Sequence, residues 1–438
     1  MNRFSEAFSR RRTTPEAAVR SIPSGAKVAL GLGVAQPPAL LRALAGRVEA
    51  REVSGLLLYY LISTANAEPV LRTELRDRIG PVSLFHGANE RRLDKEAERL
   101  GLPPIDFLPT AFSQAPDVLS RQVDVDVLLT TVAPMDEDGC FSLGTNTDYA
   151  LAVSRSARQV ILEVNPAMPR VRGDCRVPID RVTALVENPV PLLEVPPAAA
   201  DEIDVAIGRL ISNLVEDGAC LQMGIGTLPD AVCAALGDHR HLGVHTELMA
   251  PGLAQLMRRG VVDNSRKAVC PGRTIFTFAM GDRDLYEFLD NNPAIEAHPV
   301  DYVNNPAVIA TNDRVISVNA TLEVDLQGAC NSEQLGGRQF SGAGGQLDFV
   351  RGASASKGGK SIIACHSTAA NGTASRIVAR LSGPVTTPRN DVQYVCTEYG
   401  VVNLRGLSLA QRAKALIAIA HPDFREALEQ EAFAMLRS

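Results

Sequence analysis

The segment DGACLQMGIG at residues 217–226 decides the fold prediction, because residues 24–33 read SGAKVALGLG. The glycines occupy the same three places in both segments: Gly25, Gly31 and Gly33 in the first, and Gly218, Gly224 and Gly226 in the second. In each segment an apolar run typical of a buried strand ends at Gly-x-Gly, and a proline follows before apolar residues at helical spacing. This strand–turn–helix repeat predicts two related α/β domains, although unrelated units of that kind can also share glycines.

A second internal match falls at nearly the same spacing. Residues 133–139 read APMDEDG and residues 322–328 read LEVDLQG. Between the two halves lies the proline-rich segment ENPVPLLEVPPAAA at 187–200, which is typical of a domain boundary. We therefore predict an N-terminal domain at 1–190 and a C-terminal domain at 191–438.

The remaining chain alternates between strand-like and helix-like patterns, which favours α/β domains with mainly parallel sheets. Short apolar runs predict strands at Val28–Leu30, Leu56–Leu61, Val125–Thr131, Val160–Val164, Ile309–Val318 and Lys360–Ala364. Helical spacing of apolar residues predicts helices at Asp201–Leu214 and Leu409–Ala420.

Composition excludes several classes of function. The chain has 438 residues and a net charge of −6, and it has no long basic block, so a nucleic-acid partner is not expected. Its eight cysteines show neither CxxC nor zinc-ligand spacing, which predicts reduced thiols and no metal. No apolar stretch is long enough to span a membrane, and we predict a soluble cytoplasmic protein. The N-terminal serines and arginines also allow a weak organellar transit sequence, but acidic residues interrupt them.

Two kinds of glycine-rich loop are candidate ligand sites. Gly-x-Gly turns that open helices suit phosphate or thioester ligands, although such turns also merely pack helices on sheets. The third glycine of a dinucleotide fingerprint is missing, because Pro229 stands in its place. The denser loop Ser341–Gly345 is able to present N–H groups to an oxyanion, or else is a tight turn before a strand. Lys357 and Lys360 form a cationic pair that fits a phosphate or simply faces solvent.

A carboxylate nucleophile is the third candidate feature. Glu247 follows the apolar stretch 242–244, and ligands bind at the edge of an α/β sheet where such strands end. An ionised carboxylate attacks activated acyl groups to form a covalent intermediate. His245 would point to the same side of an extended strand, more often as a packed residue than as a base. Spacing alone does not choose Glu247 over the other carboxylates in strand-end or glycine-rich surroundings, which are Asp138, Glu323, Asp325, Asp348 and Glu398.

A family resemblance resolves this choice. The motifs that carry it in the C-terminal half are LQMGIGTLPDAV (221–232), VHTELMAPG (244–252), NATLEVDLQG (319–328), SGAGGQLDFVRGA (341–353) and TEYGVVNLRG (397–406). Those in the N-terminal half are SGAKVALGLGVAQP (24–37), APMDEDGCFSLG (133–144) and VNPAMPRVRGD (164–174). Together they resemble the acetyl-CoA hydrolase/transferase family of class I CoA-transferases, and they are most similar to its 4-hydroxybutyrate and butyrate:acetate branch.

The resemblance implies two tandem α/β domains with the active site in the cleft between them. It implies that Glu247 is the nucleophile, that it carries a glutamyl-CoA thioester during ping-pong exchange, and that Asn304 lies near the reacting carboxylates. The implied coenzyme A contacts are Gln222, Met223, Gly224, Ile225, Gly226, Leu322, Gly344, Gly345 and Lys357. It further implies a homodimer that uses an acyl-CoA and a short carboxylic acid such as acetate, butyrate or 4-hydroxybutyrate, with no tightly bound cofactor.

Two other functions stay open at this point. An acyl-CoA hydrolase would use the same glutamate with water as acceptor, and sequence does not separate it from a transferase. A non-catalytic protein that binds coenzyme A or a sugar phosphate is the alternative from a different class.

Overall fold

The computed structural model describes residues 4–196, 199–224 and 226–435. The chain forms two compact units. The first comprises the residues up to Val195 together with Ile275–Tyr302, and the second comprises Pro196–Thr274 and the residues from Val303 onward. The predicted contiguous division at residue 190 does not anticipate that Ile275–Tyr302 groups with the first unit. Among the helices that the structure describes, none is both long enough and apolar enough to cross a membrane.

The first unit is built on a parallel sheet. Its strands in spatial order are Ala184–Glu187, Gln159–Val164, Val127–Val132, Lys27–Leu30, Leu56–Tyr60, Ile79–Ser83 and Asp106–Phe107. Its longer helices are Ser5–Arg11, Pro38–Glu49, Ala88–Arg99, Ala150–Ser156 and Arg283–Leu289. The central strands are buried on both faces, as expected for a parallel sheet covered by helices.

The second unit has its own sheet. Its strands in spatial order are Gly243–Val244, Cys220–Met223, Val315–Ala320, Lys360–Ala364, Tyr394–Thr397 and Gly400–Asn403. All neighbouring pairs are parallel except the last, which is an antiparallel hairpin. Its longer helices are Glu202–Ser212, Thr227–Ala235, Pro251–Arg258, Gln346–Ala355, Leu409–Ala418 and Pro422–Met435.

The two sheets share the order of their equivalent strands. In each unit the strand that precedes the repeated Gly-x-Gly motif has two neighbours. Lys27–Leu30 lies between Leu56–Tyr60 and Val127–Val132, and Cys220–Met223 lies between Gly243–Val244 and Val315–Ala320. The equivalent strands Val127–Val132 and Val315–Ala320 then continue the sheet on the same side. The predicted α/β fold with mainly parallel sheets is therefore confirmed.

The second sequence match also corresponds to a repeated local structure. Asp136 Oδ1 accepts the N–H groups of Asp138 and Cys140 at 3.0 and 2.9 Å. Asp325 Oδ1 accepts the N–H groups of Gln327 and Ala329 at 3.0 and 2.9 Å. An aspartate that binds the backbone two and four residues ahead closes the same turn in both units.

Most predicted elements lie within a few residues of the observed ones, with one clear exception. The run Ile309–Val318 is not one strand, because Ile309 lies in the helix Pro306–Ala310 and the strand begins at Val315. Asn305 accepts the N–H of Ala307, and Pro306 occupies the first helical turn, so these residues start a helix locally.

Candidate active site

Glu247 lies at the carboxyl edge of the second sheet. It follows the short strand Gly243–Val244, whose ladder continues through a hydrogen bond from His245 N–H to the Leu221 carbonyl. The buried hydroxyl of Thr246 donates to the carbonyl of Leu248 at 3.0 Å and fixes the turn that carries Glu247. The chain thus ends its strand just before the glutamate and presents the side chain at the edge where α/β sheets bind ligands.

Two elements of the second unit converge on the Glu247 carboxylate. Asn304 Nδ2 donates a 2.6 Å hydrogen bond to Oε2 of Glu247. The backbone N–H of Gly345 also donates to this carboxylate. A Cβ atom at position 345 would overlap both Glu247 Oε2 and Asn304 Nδ2, so only glycine allows this approach. Gly345 precedes the helix Gln346–Ala355, whose N-terminal dipole end favours a negative charge there.

The environment of Glu247 shifts its ionisation. Burial, as the largest cause, and the nearby charge of Asp348 raise the pKa of Glu247 from its usual 4.5 to about 7. The hydrogen bonds from Asn304 and Gly345 lower the pKa and so limit the rise. The side chain is only partly buried, so it remains accessible from the sheet edge. Around neutral pH a substantial fraction is an ionised carboxylate with little hydration, which is the form that attacks an acyl group.

The other candidate carboxylates are engaged in structural hydrogen bonds. Asp325 closes the repeated turn, and Asp138 pairs with Arg176 at 2.8 Å. Glu323 accepts the N–H and hydroxyl of Ser382 at 2.9 and 2.7 Å. Glu398 accepts the N–H and hydroxyl of Ser367 at 2.9 and 2.6 Å. Asp348 is buried, and its charge acts on Glu247.

Most of the predicted coenzyme A contacts lie at the same edge as Glu247. Gly224 follows the strand Cys220–Met223, and Gly226 precedes the helix Thr227–Ala235. Leu322 follows the strand Val315–Ala320, and Gly344 adjoins Gly345. Ile225 lies outside the described residues. The loop Ser341–Gly345 opens a helix, so the alternative of a tight turn before a strand is wrong.

Two predicted contacts have side chains enclosed in the sheet. Met223 is 1% exposed and Gln222 is 3% exposed. The side-chain oxygen Oε1 of Gln222 accepts the Ser317 hydroxyl at 2.6 Å and the Asn319 amide N–H at 3.3 Å. Gln222 therefore belongs to a buried polar network between two neighbouring strands.

Lys357 is placed apart from the others. It is exposed and precedes the strand Lys360–Ala364, and its carbonyl accepts the N–H of Arg314, which precedes another strand of the same sheet. These are the amino ends of parallel strands, whereas Glu247 follows the carboxyl end of one. The structure does not bring Lys357 together with Glu247. The Lys360 ammonium donates to the Leu214 carbonyl and pairs with Glu216.

His245 is a packed residue with both ring nitrogens bonded. Nε2 lies 2.7 Å from the Val303 carbonyl oxygen, and Nδ1 lies 3.2 Å from the Asn312 amide nitrogen. The sequence offered no signal for Asn312 or Val303, because both are far from His245 along the chain.

A group able to bind a metal ion lies elsewhere in the second unit. His366 Nε2 is 2.8 Å from Asp204, and Asp201 is close by. Asp201 and Asp204 also cap the helix Glu202–Ser212 reciprocally, which accounts for both carboxylates.

The fold agrees with comparisons to known proteins. The acetyl-CoA hydrolase/transferase N-terminal domain matches residues 1–195, and the C-terminal domain of the same family matches residues 281–432. The chain belongs to the acetyl-CoA hydrolase/transferase family, as its motifs predicted.

Individual relatives extend over nearly the whole chain. A succinyl-CoA:cyclohexane-1-carboxylate CoA transferase of Geobacter metallireducens is 43% identical, with 99% of this chain and 98% of the relative covered. A 4-hydroxybutyrate coenzyme A transferase of Clostridium kluyveri is 40% identical, with 98% of each covered. The crystal structure of RipA from Yersinia pestis superposes with a TM-score of 0.94 at 50% identity, covering 99% of both chains. A more distant relative, an acetyl-CoA hydrolase of Neurospora crassa, is 26% identical over 92% of this chain and 85% of its own. The prediction of a CoA-transferase is confirmed at this level of relationship.

Proposed function

We propose that this protein transfers coenzyme A between an acyl-CoA and a short carboxylic acid such as acetate, butyrate or 4-hydroxybutyrate, through a glutamyl-CoA thioester on Glu247. The observation that carries the proposal is the Glu247 carboxylate at the sheet edge, held by Asn304 at 2.6 Å and bonded to the Gly345 N–H. The names of the relatives support the reaction class.

The proposed steps balance without a metal or a nucleotide. A carboxylate oxygen of Glu247 attacks the thioester carbonyl carbon, the carbon–sulfur bond breaks, and coenzyme A leaves as a thiolate. The product on the enzyme is a mixed acyl-glutamyl anhydride. The thiolate then attacks the glutamyl carbonyl carbon and releases the acyl group as a carboxylate, leaving the glutamyl-CoA thioester. An incoming carboxylate runs the same steps in reverse.

Local electrostatics supports the first step. In the attack the charge of Glu247 passes to the thioester oxygen and then to sulfur, so Glu247 must start ionised. The Asn304 and Gly345 hydrogen bonds keep an ionised form available despite burial, and they hold the carboxylate in one orientation.

Borohydride trapping tests the intermediate. The protein is incubated with acyl-CoA, treated with borohydride and digested with trypsin, which releases Glu247 in the peptide His241–Arg258. We expect loss of activity and a lower mass for this peptide, because the thioester is reduced to an alcohol. The control without acyl-CoA keeps the original mass. A protein that turns over acyl-CoA while this peptide stays unchanged after borohydride contradicts the proposal.

Hydrolysis is the second candidate, favoured by the more distant hydrolase relative. Release of free coenzyme A is measured with and without acetate. A transferase produces acetyl-CoA and little free coenzyme A, whereas equal release in both conditions identifies a hydrolase. A panel of short acyl-CoAs against acetate then defines the donor.

We further propose that the enzyme needs no tightly bound cofactor and works as a homodimer. Chelator-treated protein should keep full activity. Light scattering should give twice the chain mass of 46.8 kDa.

A further inference from the structure

Two hydrogen bonds join the segment His245–Glu247 to the segment Val303–Asn304. Asn304 Nδ2 donates to Glu247 Oε2 over 2.6 Å. His245 Nε2 lies 2.7 Å from the Val303 carbonyl oxygen. The bonded residues are two apart on one segment and adjacent on the other, so the two bonds and the intervening backbone close a small ring. We call this ring the clasp.

The partners of His245 define its protonation state. A carbonyl oxygen only accepts hydrogen bonds, so the proton must be on Nε2. The Asn312 amide nitrogen only donates, and it lies 3.2 Å from Nδ1, which must therefore accept. The orientation of the Asn312 amide is itself determined, because its oxygen accepts the N–H groups of Ala268 and Val269 at 3.1 and 3.0 Å. Protonation of Nδ1 would turn this bond into a repulsion, so the imidazole stays neutral.

The clasp is buried except at Glu247, which is only partly buried. His245 is 1% exposed, and Asn304 and Asn312 are 0% exposed. The His245 and Phe349 rings pack in a T-shaped arrangement, with ring centroids 6.3 Å apart. In such surroundings a backbone carbonyl that loses its donor is costly, and the segment that carries it shifts.

We propose that His245 is a positioning residue for the reaction, which fixes the Val303 carbonyl and thereby holds the Asn304 amide against Glu247. This inference rests on the proposed function, because it names a residue that serves the same nucleophile. The ring nitrogens of His245 bond to the Val303 carbonyl and the Asn312 amide. The effect of His245 passes through one peptide unit, from the Val303 carbonyl to the Asn304 side chain.

Two charged groups lie close to the clasp. Asp348 faces Glu247 and raises its pKa. The buried Lys267 ammonium donates to the Val244 carbonyl at 2.7 Å, one residue before His245. Neither charge is removed in the variants below, so a change in the pKa of Glu247 between them reflects a change in the clasp.

The decisive comparison is between H245Q and H245M. A glutamine amide reaches about as far as Nε2 and donates to the Val303 carbonyl, whereas methionine fills similar space without a donor. For H245M we expect kcat to fall about 10- to 100-fold with KM for acyl-CoA within about twofold, because a misplaced reacting group affects the chemical step. H245Q should recover most of kcat. Equal losses in both variants, or wild-type kcat in H245M, would overturn the proposal.

The ionisation of Glu247 gives a second readout that does not need turnover. Carbodiimide modification of the peptide His241–Arg258, followed against pH by mass spectrometry, reports the Glu247 pKa in the free enzyme. Loss of the Asn304 hydrogen bond removes a pKa-lowering contact, so the pKa should rise in H245M and return in H245Q. If the wild-type protein forms no thioester yet shows this pattern, the proposed function fails while the positioning role stands. An unshifted pKa in a folded H245M overturns the positioning role.

The wild-type protein offers a test that does not depend on any variant folding. Nitrogen NMR with labelled histidine, assigned by the signal missing from H245Q, should show the neutral Nε2–H form of His245 from about pH 5 to 8. A His245 that titrates in this range, or that carries its proton on Nδ1, contradicts the clasp.

Discussion

The two units share a scaffold and differ at the end of one strand. Both sheets have the same order of equivalent strands, and both repeat the aspartate turn of Asp136 and Asp325. In the first unit the strand Leu56–Tyr60 is followed, three residues on, by Ser63, which is buried and donates to Glu90. In the second unit the shorter strand Gly243–Val244 is followed, also three residues on, by Glu247. The shared scaffold therefore supplies the frame, and the candidate nucleophile comes from a local departure from it.

A second difference concerns two carboxyl groups with raised pKa values. Burial raises the pKa of Asp148 in the first unit to about 7, as it does for Glu247 in the second. Asp148 is 0% exposed and accepts the N–H of Ala150 at 3.1 Å, so it serves the start of a helix. Glu247 is only partly buried. A raised pKa marks both groups, and access to ligand distinguishes them.

The largest expected effect comes from removing the carboxylate that only the second unit has. E247Q keeps the size and the hydrogen-bond acceptor but has no nucleophilic oxygen anion. We expect the rate of coenzyme A transfer to acetate to fall at least about 1,000-fold. The matched control is E216Q, which lies before a strand of the same sheet and pairs with Lys360 at 3.0 Å on the surface. Its kcat should equal that of the wild type, and an active E247Q would remove the distinction between the units.

The next effect tests the close approach at Gly345. In G345A the new methyl group must displace the Glu247 carboxylate or the Asn304 amide, so we expect kcat to fall about 100-fold. G46A is the control in the first unit, because a Cβ there meets no atom within 4 Å. It lies in the helix Pro38–Glu49 and should leave kcat unchanged while raising stability by about 0.5 kcal/mol. Steady-state kinetics and urea unfolding measure both, and full activity in G345A contradicts the geometry.

The shared features of the two units were predictable from sequence, and the differences were much less so. Strand-forming runs and the Gly-x-Gly spacing depend on local residues, and they predicted the sheets within a few residues. The exception at Ile309 arose because a capped helix start at Asn305 outweighs apolar content. Glu247 could not be separated from five other carboxylates, because its selection depends on Asn304 and Gly345, which lie far away in sequence. Only the family motif carried that information.

The pH dependence of stability should separate the two carboxyl groups. The folded-state pKa of each is about 7, above the usual 3.8 for Asp148 and 4.5 for Glu247. The folded state therefore binds more protons than the unfolded state between these values, so the free energy of unfolding falls as pH rises through this window. Across this pH window the free energy of unfolding should fall less in D148N and in E247Q than in the wild type, by on the order of 2 to 4 kcal/mol. The difference should be smaller for E247Q, because Glu247 is partly exposed.

Urea unfolding of both variants and the wild type between about pH 4 and 8 measures this effect. The rate of transfer should respond to only one of the two groups. In the wild type kcat/KM should rise with pH to a plateau above about 7, as Glu247 ionises. A parallel slope in D148N and the wild type would contradict the burial of an ionisable Asp148.

The smallest effect tests whether the repeated turns are equivalent. D136A and D325A each leave two backbone N–H groups without their acceptor, so each should lower the free energy of unfolding by about 1–2 kcal/mol. Asp136 also pairs with Arg176 at 2.6 Å near the surface, which adds at most about 1 kcal/mol. D136N and D325N keep the accepting oxygen and serve as matched controls, with smaller losses expected. Because the chain has no tryptophan, circular dichroism follows the unfolding. If only one of the two alanine variants is destabilised, the sequence match between the turns does not reflect a shared structural role.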